Sequence, residues 1–348
     1  MDEALTLPPS SGKSLVSPVE WRKWLTRSLV LLAVLMCLYV GAGLWAVRGD
    51  LARASRQLPW QVIPSILCLV FAGWGLRALR WHYYVGRLRW PVPLGHSLCA
   101  FMASFAFTAT PGKAGEVVKS VLLRTRHNVP LAEGAGVLLV ERLGDLLAVL
   151  VLAVGGLTLL ADGLVYFLAA AALVGGTTVV VSSRAVYQPL LSQVARVPKL
   201  AGLSEKVLRL LDTGRVLLHP TPFLVGTGIA LIAWSCEGWA FHILLHGFGM
   251  RLSPLTSCSI FGIATVVGAL SALPGGVGSF EVVMVLLLSR LSLPAAVATL
   301  PVVLFRFCTL WLGSFFGFLF LAGWLLFVSK GGAQPVLESS PEKSNFQA

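Results

Sequence analysis

Charge is scarce in this chain: Lys, Arg, Asp and Glu make up 12% of its residues, against a hydrophobic share of 56%. Soluble domains carry roughly 25% charged residues. Half that density cannot cover a water-facing surface of this size, so much of the exterior must face lipid. Acids are scarcer still, 15 against 27 Lys and Arg. The basic excess sits in the loops between apolar runs. That placement suits anionic headgroups and cytoplasmic loops, and argues against nucleic acid as a partner.

Reactive constellations are also lacking. Cys37, Cys68, Cys99, Cys236, Cys258 and Cys308 all lie in apolar runs, with no C-x-x-C pair. They read as small core residues, with no disulfide framework and no metal site. The six histidines form no cluster. His242 and His246 share a helix face but lack an H-E-x-x-H pattern. With no phosphate-binding glycine loop, nucleophilic Ser motif or redox pair, neither an enzyme nor a bound cofactor is expected.

Long apolar runs are what the sequence does have. A membrane span needs about 20 apolar residues at about 1.5 Å each. Full spans are expected at 28–47, 58–80, 134–160, 163–182, 222–247 and 294–328. The last, at about 50 Å as one helix, must tilt, break near Gly313 or Gly317, or project outward. Before the first span lies a polar Pro/Ser-rich segment, 1–27, that is not a signal peptide. After the last comes a polar tail, 329–348, expected to be disordered.

Two further stretches, 93–124 and 254–290, break at Pro111-Gly112 and Pro274-Gly275. A short run, a Pro-Gly break and another short run suggest a re-entrant hairpin, tolerated at membrane depth only when buried in protein or lining a cavity. Arg22, Lys23 and Arg27, the cluster Arg77 to Arg89, and the basic loop 183–221 place both termini in the cytoplasm by the positive-inside rule. The expected location is the cell (cytoplasmic, inner) membrane. Within 183–221, Leu203, Val207, Leu210, Leu211, Leu217 and Leu218 recur at helical spacing among Lys206, Arg209, Asp212 and Arg215. That predicts an amphipathic helix on the cytoplasmic surface. Trp21, Trp24, Trp45, Trp60, Trp81, Trp90 and Trp324 fall near span ends and read as an interfacial belt.

The two Pro-Gly stretches are related. Pro111-Gly112-Lys113-Ala114-Gly115-Glu116 leads to Val129-Pro130 and then Glu141-Arg142; Pro274-Gly275-Gly276-Val277-Gly278 leads to Glu281, Leu293-Pro294 and Phe305-Arg306. The fold expected is therefore an all-α polytopic membrane protein of two inverted repeats, 28–160 and 163–328. Each has three transmembrane helices and one re-entrant Pro-Gly hairpin. Three spans is an odd number, so the second repeat enters the bilayer upside down, a plan known among transporters.

These motifs, with Val140-Glu141-Arg142-Leu143-Gly144-Asp145 and Leu273-Pro274-Gly275-Gly276-Val277-Gly278-Ser279-Phe280-Glu281, resemble the lysylphosphatidylglycerol synthase transmembrane-region family. That family includes the flippase-like domain of the multiple peptide resistance factor. The resemblance covers roughly 28 to 328 and implies movement of a lipid or lipid-linked molecule between leaflets. It departs at Thr108-Ala109-Thr110, where relatives carry an Asn-rich stretch, and at Val117-Val118-Lys119, where a basic residue often follows sooner.

The candidate binding or gating residues are Glu116, Lys119, Glu141, Arg142, Asp145, Glu237, Glu281 and Arg306. Insertion scales price each buried charge at roughly 2.5–3.5 kcal/mol, so pairing is required. Arg142 and Asp145 can pair at i, i+3. Glu141 and Asp145 repel unless Arg80 or Lys119 lies close. Arg306 has no acid within its own helical turn, leaving Glu281 or Glu237. A guanidinium suits phosphate because its planar fork binds two oxygens at once. The ordinary reading of such residues is ion pairs that fix helix packing. Gly112, Gly115, Gly275, Gly276 and Gly278 suit either tight hairpin packing or close headgroup approach.

The function expected is a lipid translocator working by alternating access on an anionic or lipid-linked headgroup. One alternative is a non-transporting partner of a lipid-modifying or polyprenyl-linked glycosyltransferase pathway. The other is a headgroup transferase, against which the shortness of the extramembrane pieces weighs. Oligomeric state is left open.

Overall fold

The computed structural model describes residues 60–108, 110, 115–159, 162–197 and 200–328, with isolated positions at 30, 34, 37, 39 and 41. The chain divides into Met1–Arg48 and Gly49–Ala348. In the first unit the five described positions are helical. The expected segment 1–27, most of the span 28–47 and the tail 329–348 lie outside the described residues, as do Pro111, Gly112 and Lys113.

In the second unit every described element is helical. In chain order these are α1 (Ile63–Arg87), α2 (Leu94–Ser104), α3 (Val118–His127), α4 (Leu131–Ala153), α5 (Gly163–Ser182), α6 (Arg184–Ala195), α7 (Ala201–Leu217), α8 (Pro220–Gly247), α9 (Pro254–Leu270), α10 (Ser279–Arg290), α11 (Ala295–Arg306) and α12 (Leu312–Gly323). Among the described residues, four helical stretches are long and apolar enough to cross a membrane: Ile63–Arg87, Gly163–Ser182, Pro220–Gly247 and Val297–Leu326. This is an all-α, multi-pass membrane protein.

Proline and left-handed residues punctuate it. Pro220 and Pro254 sit in the first turns of α8 and α9, where a missing N–H costs nothing. α3 stops at Asn128, whose left-handed φ of 54° caps it, and Val129-Pro130 then starts α4. α10 ends likewise at left-handed Ser292, before Leu293-Pro294 and α11. The turns after α1 and α8 match too. Arg89 (φ 55°) and Gly249 (φ 79°) are both left-handed. Trp90 N–H then donates to Val85 O at 3.2 Å, and Met250 N–H to Leu245 O at 2.9 Å.

α1 and α8 form the most intimate helix pair. Near the end of α1 the Tyr84 hydroxyl lies against Gly226, near the start of α8; a Cβ there would come within 1.8 Å of it. Mid-helix, Arg77 meets Glu237 and Gly73 meets the Ala233 carbonyl. Start against end and middle against middle make the pair antiparallel. Around it packs a core of Ile66, Val70, Trp74, Phe241, Phe261, Phe280 and Phe305, drawn from both ends of the chain.

Several expectations need correction. The second span begins at Ile63 and runs to Arg87 rather than covering 58–80, so Arg77 and Arg80 lie inside the helix. The span 294–328 changes its winding at a π-helical turn, Phe307–Trp311, ahead of Gly313 and directly after Arg306. The loop 183–221 holds two helices. The second, α7, is the helix that the apolar spacing predicts; it meets α4 where Gly136 lets the Leu210 carbonyl approach, with Leu217 and Leu218 buried and Leu203 exposed. Trp81 and Trp324 are buried rather than interfacial, whereas Trp60 is exposed.

Candidate functional site

The sparse charges of the membrane segments gather in one place. Two Arg–Glu pairs define it, each joining a helix, α4 or α11, to the stretch that follows a Pro-Gly pair in the sequence. Arg142 of α4 donates from Nη2 to Glu116 Oε2 at 2.7 Å, and Arg306, the last residue of α11, donates from Nε to Glu281 Oε1 at 2.8 Å. Glu281 also accepts the Gly278 N–H at 2.7 Å with its other oxygen, so one carboxylate caps α10 and holds the arginine. Arg306 Nη2 donates further to the Gly275 carbonyl at 2.5 Å, and its guanidinium lies 4.4 Å from the centre of the Phe280 ring. Glu237, the other candidate partner, is taken by Arg77.

Around Arg142 the network is denser. Arg142 reaches Asp145 Oδ2 at 3.1 Å. Asp145 Oδ1 accepts from Arg80 Nη1 at 2.7 Å and from the Trp234 indole N–H at 3.0 Å. Arg80 lies 3.9 Å from Glu141, and Glu141 pairs with Lys119. The repulsion expected between Glu141 and Asp145 is thus relieved by both nearby cations. Lys119 is boxed by aromatic faces, 4.4 Å from the Trp81 ring centre and 4.9 Å from that of Phe101. Low polarity makes such pairs strong and makes removal of one partner costly.

These groups surround a cavity of about 270 Å³. Arg77, Arg80, Glu116, Arg142 and Asp145 line it from one half of the chain, and Glu237, Gly275, Gly276 and Arg306 from the other. Trp74, Phe105, Trp234, Phe261 and Phe280 complete the wall. Of the expected residues, Lys119, Glu141 and Glu281 do not line it. The first two are sealed behind Arg80, and Glu281 acts through Arg306. Among the cavity residues that the sequence did not point to are Arg77, read there as the end of a span, and Trp234.

The hairpin glycines serve different needs. Gly275, Gly276 and Gly278 adopt φ of 60°, 67° and 91°, where a side chain is strained. Gly115 instead answers to space: a Cβ on it would fall 2.3 Å from that of Phe107. Its N–H donates to Thr110 Oγ1 at 2.7 Å.

The family described as the lysylphosphatidylglycerol synthase TM region matches residues 20–317. The chain belongs to that family. It is also similar to a UPF0104 membrane protein of Methanothermobacter thermautotrophicus, 26% identical over 299 residues, which are 80% of this chain and 87% of that protein. A second UPF0104 membrane protein match from that organism is 28% identical over 107 residues, 30% of this chain and 32% of the relative. Similarity extends to the glycosyltransferase AglD of Haloferax volcanii, 24% identical over 306 residues. That alignment takes in 76% of this chain and 48% of AglD, so the chain spans about half of that protein.

Proposed function

We propose that this protein moves a phospholipid or lipid-linked molecule between the leaflets of the cell membrane, passing its headgroup through the Arg142–Arg306 cavity. The observation that carries this reading is the convergence of two Arg–Glu pairs, each built on a hairpin, upon one cavity. A space of about 270 Å³ suits a headgroup rather than a whole lipid. The acyl chains would stay in the bilayer. A phosphate competes with Glu281 and the Gly275 carbonyl for Arg306, and with Glu116 and Asp145 for Arg142. Each exchange frees a hairpin from its arginine.

Inverted repeats fit this reading. Arg77 and Glu237 stand 160 residues apart and touch. The same spacing relates the ends of α1 and α8 and the starts of α2 and α9. Matched residues can meet only where a two-fold axis passes between them. In an antiparallel pair that axis runs across the helices, hence in the membrane plane, as in inverted-repeat transporters. The hairpins then open to opposite sides, both termini are cytoplasmic, and the halves alternate in exposing the cavity.

The alignment with AglD favours a second reading, a membrane partner for a glycosyltransferase pathway. The test is purified protein in vesicles with labelled lipids, read leaflet by leaflet. Transport predicts protein-dependent exchange lost in Arg142→Gln and Arg306→Gln. No exchange of any phospholipid or polyprenyl phosphate overturns it in favour of the partner role.

A further inference from the structure

The two halves provide an internal control for the buried charges. Lys119 stands three residues after Glu116; three after Glu281 stands Met284. Glu141 precedes Arg142, and Phe305 precedes Arg306; Arg80 follows Arg77 by three, and Ala240 follows Glu237 by three. Ala240, Met284 and Phe305 are wholly buried, with Phe305 packed on Phe241 and Phe261. The same backbone plan thus fills these positions with apolar side chains. Packing does not require Arg80, Lys119 and Glu141 to be charged, and buried ion pairs are poor stabilisers compared with apolar replacements.

Several polar atoms here are buried and unmatched. Glu141 Oε1, Arg80 Nε, the Tyr84 hydroxyl and Thr227 Oγ1 make no hydrogen bond. They flank the junction of α1, α4 and α8: Thr227 Oγ1 and Arg80 Nη1 both approach Gly144, and Tyr84 lies against Gly226. Polar groups so placed are normally satisfied by water. They sit on the helices whose side chains meet at Asp145, which Arg80 of α1 and Trp234 of α8 both contact.

We propose that Glu141, held by Lys119, is a proton-binding site that couples capture of an anionic phosphate headgroup in the cavity to uptake of one proton. The proposal rests on the headgroup reading above. A proton from water in the cavity bonds to Glu141 Oε1 and makes a neutral carboxylic acid. Lys119 keeps its three N–H bonds and its charge, no other covalent bond changes, and the proton returns to water when the headgroup leaves. Uptake adds one positive charge beside Arg80, which favours an anion nearby. The groups facing Glu141 are Lys119 from α3, Arg80 and Tyr84 from α1, and Arg142 and Asp145 on its own helix. α8 brings Thr227 and Trp234. α9 carries no charged residue, and α7 meets α4 through Leu210 and Thr213, its Lys206 and Arg215 exposed.

The experiment is calorimetric titration of the full-length protein in detergent with dihexanoyl-phosphatidylglycerol, in buffers of different ionisation heat. The expected result is about one proton taken up per headgroup, with affinity falling up to about tenfold per pH unit as pH rises. Glu141→Gln, which mimics the protonated acid, should bind without proton uptake. Lys119→Met with Glu141→Phe, copying the second half, should also take up none. Binding by the wild type without proton uptake overturns the proposal and leaves lipid handling intact. Equal uptake by Glu141→Gln, or loss of its binding while it remains folded, also overturns it. Absence of binding by any short-chain lipid overturns the headgroup reading as well.

Discussion

Around Arg142 and around Arg306 one backbone plan carries two chemistries. Each arginine follows a Pro-Gly stretch in the sequence, pairs with that stretch's glutamate and faces the same cavity. Behind Arg142 stand Arg80, Lys119, Glu141 and Asp145. Behind Arg306 the corresponding places hold Ala240, Met284, Phe305 and Thr309. The shared part is a cation held by a carboxylate at the wall of one cavity. The unshared part marks what the first half alone contributes, a polar reservoir within an apolar wall.

The largest effects should come from the shared part. Arg142→Gln and Arg306→Gln each remove the cation held by Glu116 or Glu281, a loss of about 1–3 kcal/mol. Lipid exchange should fall roughly a hundredfold or more in both, as read in the vesicle assay. A defect confined to one variant would break the equivalence of the halves. Next comes the unshared part. Lys119→Ala leaves Glu141 with Arg80 alone, 3.9 Å away, and should also cost about 3 kcal/mol in detergent unfolding. Combining Lys119→Met with Glu141→Phe should restore most of that loss. A double variant as unstable as Lys119→Ala would show that the second half is no template for the first.

The hairpins themselves differ in what their glycines do. Gly115→Ala should destabilise by about 1–3 kcal/mol through overpacking against Phe107. Gly278→Ala, with open space but a φ of 91°, should lose about 1–2 kcal/mol through backbone strain alone. Smallest is the turn pair. Arg89→Gly should stabilise by about 0.5–1 kcal/mol, because Gly249 already occupies the matching left-handed position without strain.

Much of this was legible before the fold. Apolar runs marked helices, Pro-Gly pairs marked the breaks, and the need to pair buried charges linked Arg142 to Asp145 and offered Glu281 to Arg306. Arg77 was not legible as a cavity residue. Its partner lies 160 residues away, and its place at the end of an apolar window reads as a span terminus. Trp81 was misread for the same reason, since nearness to a span end says nothing about which face a side chain takes. The apolar face of α7 was visible in its periodicity. Which of its residues pack on α4 was not, because periodicity does not show that Leu217 is buried while Leu203 stays exposed. The asymmetry between Lys119 and Met284 stood in the sequence, but it gained meaning only when both were seen buried at matched positions.

The most direct measurement is the sidedness of two matched turns. Single cysteines replacing Asn128 and Ser292, in a background with the native cysteines removed, would be probed in intact cells with a membrane-impermeant thiol reagent. Oppositely oriented halves require one site to be labelled from outside and the other only after the membrane is opened. Labelling of both from the same side would mean that the two hairpins share a direction, and alternating exposure of one cavity by mirrored halves would be ruled out.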